Sequence, residues 1–146
     1  MEDRLLYFAY GRNMHPEIMG ERCPDAAFAG LAVLNTHRIM INGRGVSTVI
    51  ADPGHSVHGV LWHLTQRCES TLDMIEGVAK GHYAREKAHP IPEAGSASPA
   101  LIYLAHDTTP GSPRPGYLES LEEAAYTHRF PVHYRRHLAS LRQAAG

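Results

Sequence analysis

The chain has 146 residues, of which 43% are hydrophobic and 20% charged, the proportions of an ordinary globular protein and not of a disordered or fibrous one. At this length we expect a single domain over residues 1–146. Lys and Arg number 14 against 15 Asp and Glu, a formal charge of -1 that supplies no field for nucleic acid or an anionic membrane, so neither is expected as a partner.

The chain opens on the charged Glu2, Asp3 and Arg4, and the apolar run at residues 5–10 is far too short for a signal-peptide core or a membrane span; a cytoplasmic location is expected. That run, Leu5-Leu6-Tyr7-Phe8-Ala9-Tyr10, favours β-structure and closes on Gly11, which predicts a strand stopping in a tight turn. Pro16 sits where a helix would start. Residues 27–41, 46–51 and 56–64 predict three further strands, with Asn42-Gly43 and Asp52-Pro53-Gly54 suited to antiparallel connections between them.

Thr65 is a reasonable helix N-cap, after which Cys68, Leu72 and Ile75 recur on one helix face until Gly77 ends the run. That helix delivers Glu76 to its own C-terminus. Residues 82–91 and 99–104 predict two more strands, for about six in all. The proline-rich segment 107–116 reads as an ordered crossing loop, because helical stripes follow at once: Leu118, Leu121 and Ala125, then Tyr134, Leu138 and Leu141. Strands with segregated helices make an α+β arrangement.

Two stretches carry candidate chemistry. A Gly turn between strand and helix, as at residues 7–14, can present consecutive backbone N–H groups to an anion. A carboxylate at a helix C-terminus, as at Glu76, faces the negative end of the macrodipole, which raises its affinity for a proton and suits a base that cycles between charged and neutral forms. The bland readings are a plain structural turn and a solvated helix-end glutamate. Eleven histidines include no recognised zinc spacing, so no metal is expected. Cys23 and Cys68 form no disulfide framework, and Cys68, on the inner helix face, reads as a small buried hydrophobe. There is no G-x-S-x-G elbow, P-loop or dinucleotide fingerprint.

Together the two stretches resemble the gamma-glutamylcyclotransferase family. Its N-terminal motif, Tyr-Phe-Ala-Tyr-Gly-Ser-Asn and then Leu or Met, is matched by Tyr7-Phe8-Ala9-Tyr10-Gly11-Arg12-Asn13-Met14 except at Arg12. Its second motif, a Leu-Asp helix end leading into Glu-Gly-Val and a nearby Tyr, is similar to the stretch from Leu72 to Tyr83. The similarity continues through Tyr103 and Ser112-Pro113-Arg114 to Tyr117 and the last helices, so it covers nearly the whole chain.

The resemblance implies a small mixed β-barrel of about six strands flanked by short helices, and cleavage of a gamma-glutamyl amide with release of 5-oxoproline and no cofactor or metal. It implies Glu76 as general acid/base, Tyr7, Phe8, Ala9, Tyr10, Gly11, Arg12 and Asn13 as the glutamyl-binding loop, and Tyr83, Tyr103 and Tyr117 as pocket walls. A long cation at Arg12, where the family usually has Ser, is expected either to pair with an acidic substrate group or to narrow the pocket. The competing readings are a module that binds gamma-glutamyl or other carboxylate ligands without turnover, and an interaction protein with a vestigial pocket. The leaving amine and the oligomeric state are not legible in the sequence.

Overall fold

The structure, a computed structural model, describes residues 4–143. Strand β1 (Leu5–Ala9) runs into a 3-10 turn (Arg12–Met14) and helix α1 (Pro16–Arg22). The long strands β2 (Ala27–Ile41) and β3 (Ser47–Leu64) come next, then helix α2 (Gln66–Ile75). Strands β4 (Tyr83–Ala88), β5 (Ile91–Pro92) and β6 (Ala100–Ala105) precede helices α3 (Tyr117–Thr127) and α4 (Val132–Ser140).

All six strands join one sheet in the order β4-β6-β1-β3-β2-β5, mixed because β1 pairs β6 in parallel while the other pairs are antiparallel. The expected α+β class, strand number and mixed character are all present. The sheet is open, however: β4 and β5 are its edges and do not pair with each other, so "barrel" overstates its closure.

Two expected boundaries move. The strands expected at 46–51 and 56–64 are not separate but lie, Val46 apart, in β3, and Asp52-Pro53-Gly54 is no hairpin turn. Pairing passes from His37 opposite Ala51 to Asn35 opposite Ser56, so the single residue Thr36, at φ 61, faces residues 52–55. Pro53 has no N–H for the ladder, and a bulge is where a strand tolerates that loss. Conversely, the stretch expected at 82–91 breaks at His89-Pro90, β4 pairing with β6 and β5 with β2.

The expected turn at Asn42-Gly43 does connect β2 to β3: the Asn42 N–H donates to the Val46 carbonyl (2.9 Å), and Asn42 Oδ1 accepts from the Arg44 N–H (3.0 Å). The crossing loop is sewn to this turn, Gly111 N–H donating to Ile41 O and Arg114 N–H to Gly45 O, both at 3.0 Å. Leu118, Leu121, Ala125, Tyr134, Leu138 and Leu141 are all buried, as their helical spacing requires. On α2, Cys68 and Leu72 face the core, but Ile75, expected beside them, is 42% exposed at the helix end. Among the described residues no helix is long and apolar enough to cross a membrane.

Candidate active site

Helix α2 places Glu76 by its two ends. Thr65 Oγ1 accepts from the Cys68 N–H (3.2 Å), satisfying one of the orphan donors of the first turn. At the other end Glu76 is the C-cap, and Gly77 N–H to Met74 O (3.1 Å) with Val78 N–H to Asp73 O (3.0 Å) makes a Schellman closure. Gly77 stands at φ 64, where a side chain is strained, and an added Cβ would lie 2.6 Å from the His82 ring. The chain therefore turns sharply just after Glu76 and carries its carboxyl into a cavity of about 270 Å³.

The far wall comes from the end of β1. Past β1 the chain turns at Gly11, where an added Cβ would lie 2.8 Å from Ser47 Oγ and 3.2 Å from the Tyr117 hydroxyl, so a side chain there would have to push these hydroxyls aside. Asn13, 3% exposed, ties the 3-10 turn to β3, α1, β1 and the C-cap of α2. Trp62 Nε1 donates to its carbonyl (2.9 Å), and Arg22 Nη1, from the end of α1, donates to its Oδ1 (2.9 Å). That orientation aims Nδ2 at the Tyr7 hydroxyl (3.0 Å) and at Glu76 Oε1 (3.3 Å).

Glu76 is the only carboxylate lining the cavity among the described residues. Burial pushes its pKa up from the usual 4.5 to about 7; the Arg22 guanidinium, the Asn13 amide and Arg44, in that order, pull the other way. Burial thus outweighs these opposing effects, and it is the largest cause of a rise whose direction the helix-end argument had anticipated. Asp73, one turn earlier on α2, is committed elsewhere: it accepts from the Tyr103 hydroxyl (2.6 Å) and from Arg85 Nη1 (2.8 and 2.9 Å). A group near neutrality beside a cavity can accept and return a proton at physiological pH.

Of the residues expected at a binding site, Tyr7, Tyr10, Gly11, Arg12, Asn13, Tyr83, Tyr103 and Tyr117 all line this cavity with Glu76. Phe8 and Ala9 do not. Phe8 is fully buried on the face of β1 opposite Tyr7 and packs over Gly59, while Ala9, 1% exposed, is covered on all sides. The tyrosine hydroxyls are also less available than expected. Tyr83 donates to Ser47 O (2.7 Å), Tyr10 to Tyr103 O and Tyr103 to Asp73, while Tyr117 accepts from Ser47 N–H (3.0 Å) and bonds Ser47 Oγ (2.8 Å). They brace the walls; burial raises the pKa of each, keeping the phenols neutral. Of these cavity tyrosines, Tyr7, which accepts from Asn13, is the one with no acceptor for its own proton among the described residues, while in the Tyr117–Ser47 hydroxyl pair either oxygen can donate.

Arg12 Nε donates to Ser120 Oγ (3.3 Å), and its guanidinium lies 5.5 Å above the Tyr117 ring centroid. Sequence reasoning missed Arg22, Arg44, Ser47 and His82, which also line the cavity, and gave Arg114 no role. Arg114 belongs to the Ser112-Pro113-Arg114 segment that carried part of the resemblance, a signal that was available. The other four sit at the end of a helix, in turns or in a strand, with no local pattern to mark them.

The AIG2-like family matches residues 56–138, more than half the chain, and the chain belongs to that family. The gamma-glutamylcyclotransferase of Homo sapiens is 27% identical to the chain over 150 residues, covering 96% of this chain and 80% of the relative, and that of Mus musculus is 28% identical over 149 residues, covering 95% of this chain and 79% of the relative. A solved structure described as gamma-glutamyl cyclotransferase superposes with a TM-score of 0.87 at 27% identity, covering 94% of this chain and 88% of its own. These likenesses bear out the resemblance drawn from the two motifs.

Proposed function

We propose that this protein is a gamma-glutamylcyclotransferase in which Glu76 carries both proton transfers. A gamma-glutamyl amide holds its own nucleophile: the α-amine attacks the γ-carbonyl, a new N–C bond closes a five-membered ring, and the amide C–N bond breaks. Such intramolecular attack reaches effective molarities on the order of 10⁵ M or more, so the protein's task is to hold the folded conformer and to move protons. The α-ammonium sheds two protons in becoming the ring amide N–H and the departing nitrogen gains two in leaving as an ammonium; Glu76 takes and returns them one at a time. The products are 5-oxoproline and a free amine or amino acid.

The observation that supports this reading most strongly is a lone cavity carboxylate held near neutrality, with Arg22 and Asn13 fixing its position. The first N–H groups of the 3-10 turn, on Arg12 and Asn13, precede its first internal bond, Met14 N–H to Gly11 O (3.0 Å). In this reading they receive the substrate α-carboxylate, and the tyrosine walls exclude water. The substrate is a small molecule, and the setting is cytoplasmic. Incubating the purified protein with a panel of gamma-glutamyl amides and assaying 5-oxoproline tests this. Release equimolar with free amine is expected; substrates bound but never cleaved would favour the non-catalytic binding module instead.

A further inference from the structure

Four arginines, Arg12, Arg22, Arg44 and Arg114, line the cavity opposite one carboxylate, and none of them forms a salt bridge among the described residues. Arg38, Arg85 and Arg142, outside it, all pair with acids. Two of the four already serve the site: Arg22 positions Asn13 beside Glu76, and Arg12 is clamped to Ser120 and Tyr117. Arg44 acts on Glu76 only through its charge, and Arg114 has no such part.

These two are held together. Arg114 Nε donates to the Arg44 carbonyl (2.7 Å), its N–H donates to Gly45 O (3.0 Å), and Asn42 Nδ2 ties the same turn to Asp107 O (2.9 Å) at the start of the crossing loop. His82, which also lines the cavity, has its pKa held below the ordinary value by burial first and then by the charges of Arg44, Lys80 and Arg114. Concentrating cations on paired, bonded loops with no carboxylate in ion-pair contact among the described residues, Asp107 and Glu76 acting on Arg44 only through space, costs electrostatic free energy, which a bound anion would relieve.

Building on the cyclotransferase reading, we propose that Arg44 and Arg114 form an anion subsite for the departing amine, so that the preferred substrates are gamma-glutamyl conjugates whose leaving amine carries an acidic side chain. The α-carboxylate of the glutamyl end lies, in that reading, at the Gly11 turn. A planar guanidinium pair recognises a carboxylate with directed, charge-assisted bonds, whereas an isosteric amide offers it no charge and an N–H₂ in the wrong place.

The test uses matched substrates of equal shape: gamma-glutamyl-glutamate against gamma-glutamyl-glutamine, and gamma-glutamyl-aspartate against gamma-glutamyl-asparagine. For the wild type, kcat/KM is expected to favour the acidic member of each pair by at least about tenfold, and added salt should narrow the ratio. In Arg44→Met and Arg114→Met, thermal midpoints serving as the check on folding, the acidic substrates should lose more than the amides and the ratio should fall toward one. Turnover of both members with a wild-type ratio at or below one overturns the subsite and leaves the reaction class standing. A preference for acidic members that survives both substitutions also overturns it. Failure of every gamma-glutamyl compound to yield 5-oxoproline removes the cyclotransferase reading and this inference with it.

Discussion

At Glu76, proton affinity is set by competition between burial, which raises it, and Arg22 and Asn13, which restrain it. Since the ionised form is the base, kcat/KM should rise with pH through an apparent pKa near 7, the value Glu76 holds in the cavity. Arg22→Met removes the largest restraint, so the rising limb should move to higher pH; a profile that stays in place would mean another group controls it. Arg12→Ser tests a different question. Because Arg12 lies over Tyr117 on the cavity wall, its loss should change relative rates among leaving amines more than it changes capture of the glutamyl end. An unchanged ranking, measured by competition between two amides, would show that its guanidinium only covers the tyrosine.

Helix α2 behaves as a pointer whose accuracy depends on its caps. Thr65→Ala removes the N-cap bond and should cost about 1 kcal/mol in urea unfolding, with little effect on turnover because the change is remote from the cavity. Gly77→Ala places a methyl at φ 64 and against His82, so about 1–2 kcal/mol of backbone strain is expected together with a displaced Glu76. Stability and kcat should fall together in that variant, whereas in Thr65→Ala only stability should fall. Equal kcat losses in both would mean that the C-terminal turn has no special role in aiming the carboxylate.

For the molecule as a whole, local rules located most elements and non-local pairing decided the rest. Pro16, Thr65 and Gly77 marked helix ends because capping is settled within a few residues. Asp52-Pro53-Gly54 misled for the opposite reason: turn chemistry is local, but whether such a sequence ends a strand or bulges within it depends on the fifteen-residue partner β2. Phe8 was assigned to the site because a motif is read as a line, while a strand alternates its faces. The cavity arginines come from the 3-10 turn, α1, the β2–β3 turn and the crossing loop, and only the fold brings them together.

Global stability should also register Glu76. Its folded pKa of about 7 lies above its usual 4.5, so the native state retains a proton that the unfolded chain releases. That contribution is complete below about pH 4.5 and is lost as pH rises through about 7. Glu76→Gln should therefore gain stability relative to the wild type across that window and show a constant difference outside it, as followed by denaturation midpoints over pH. A difference independent of pH would place the Glu76 carboxyl in ordinary solvent.

The central claim is that one carboxylate performs both proton transfers, and the most direct measurement is 5-oxoproline release by the wild type and Glu76→Gln on a gamma-glutamyl amide that the wild type turns over. Gln keeps the shape of the side chain and cannot cycle a proton. The account predicts a folded variant that still binds the substrate and has lost at least about 10²- to 10⁴-fold in kcat. Near-normal release by the folded variant would contradict it, because Asp73, the other carboxylate near that end of α2, is already bound to Tyr103 and Arg85.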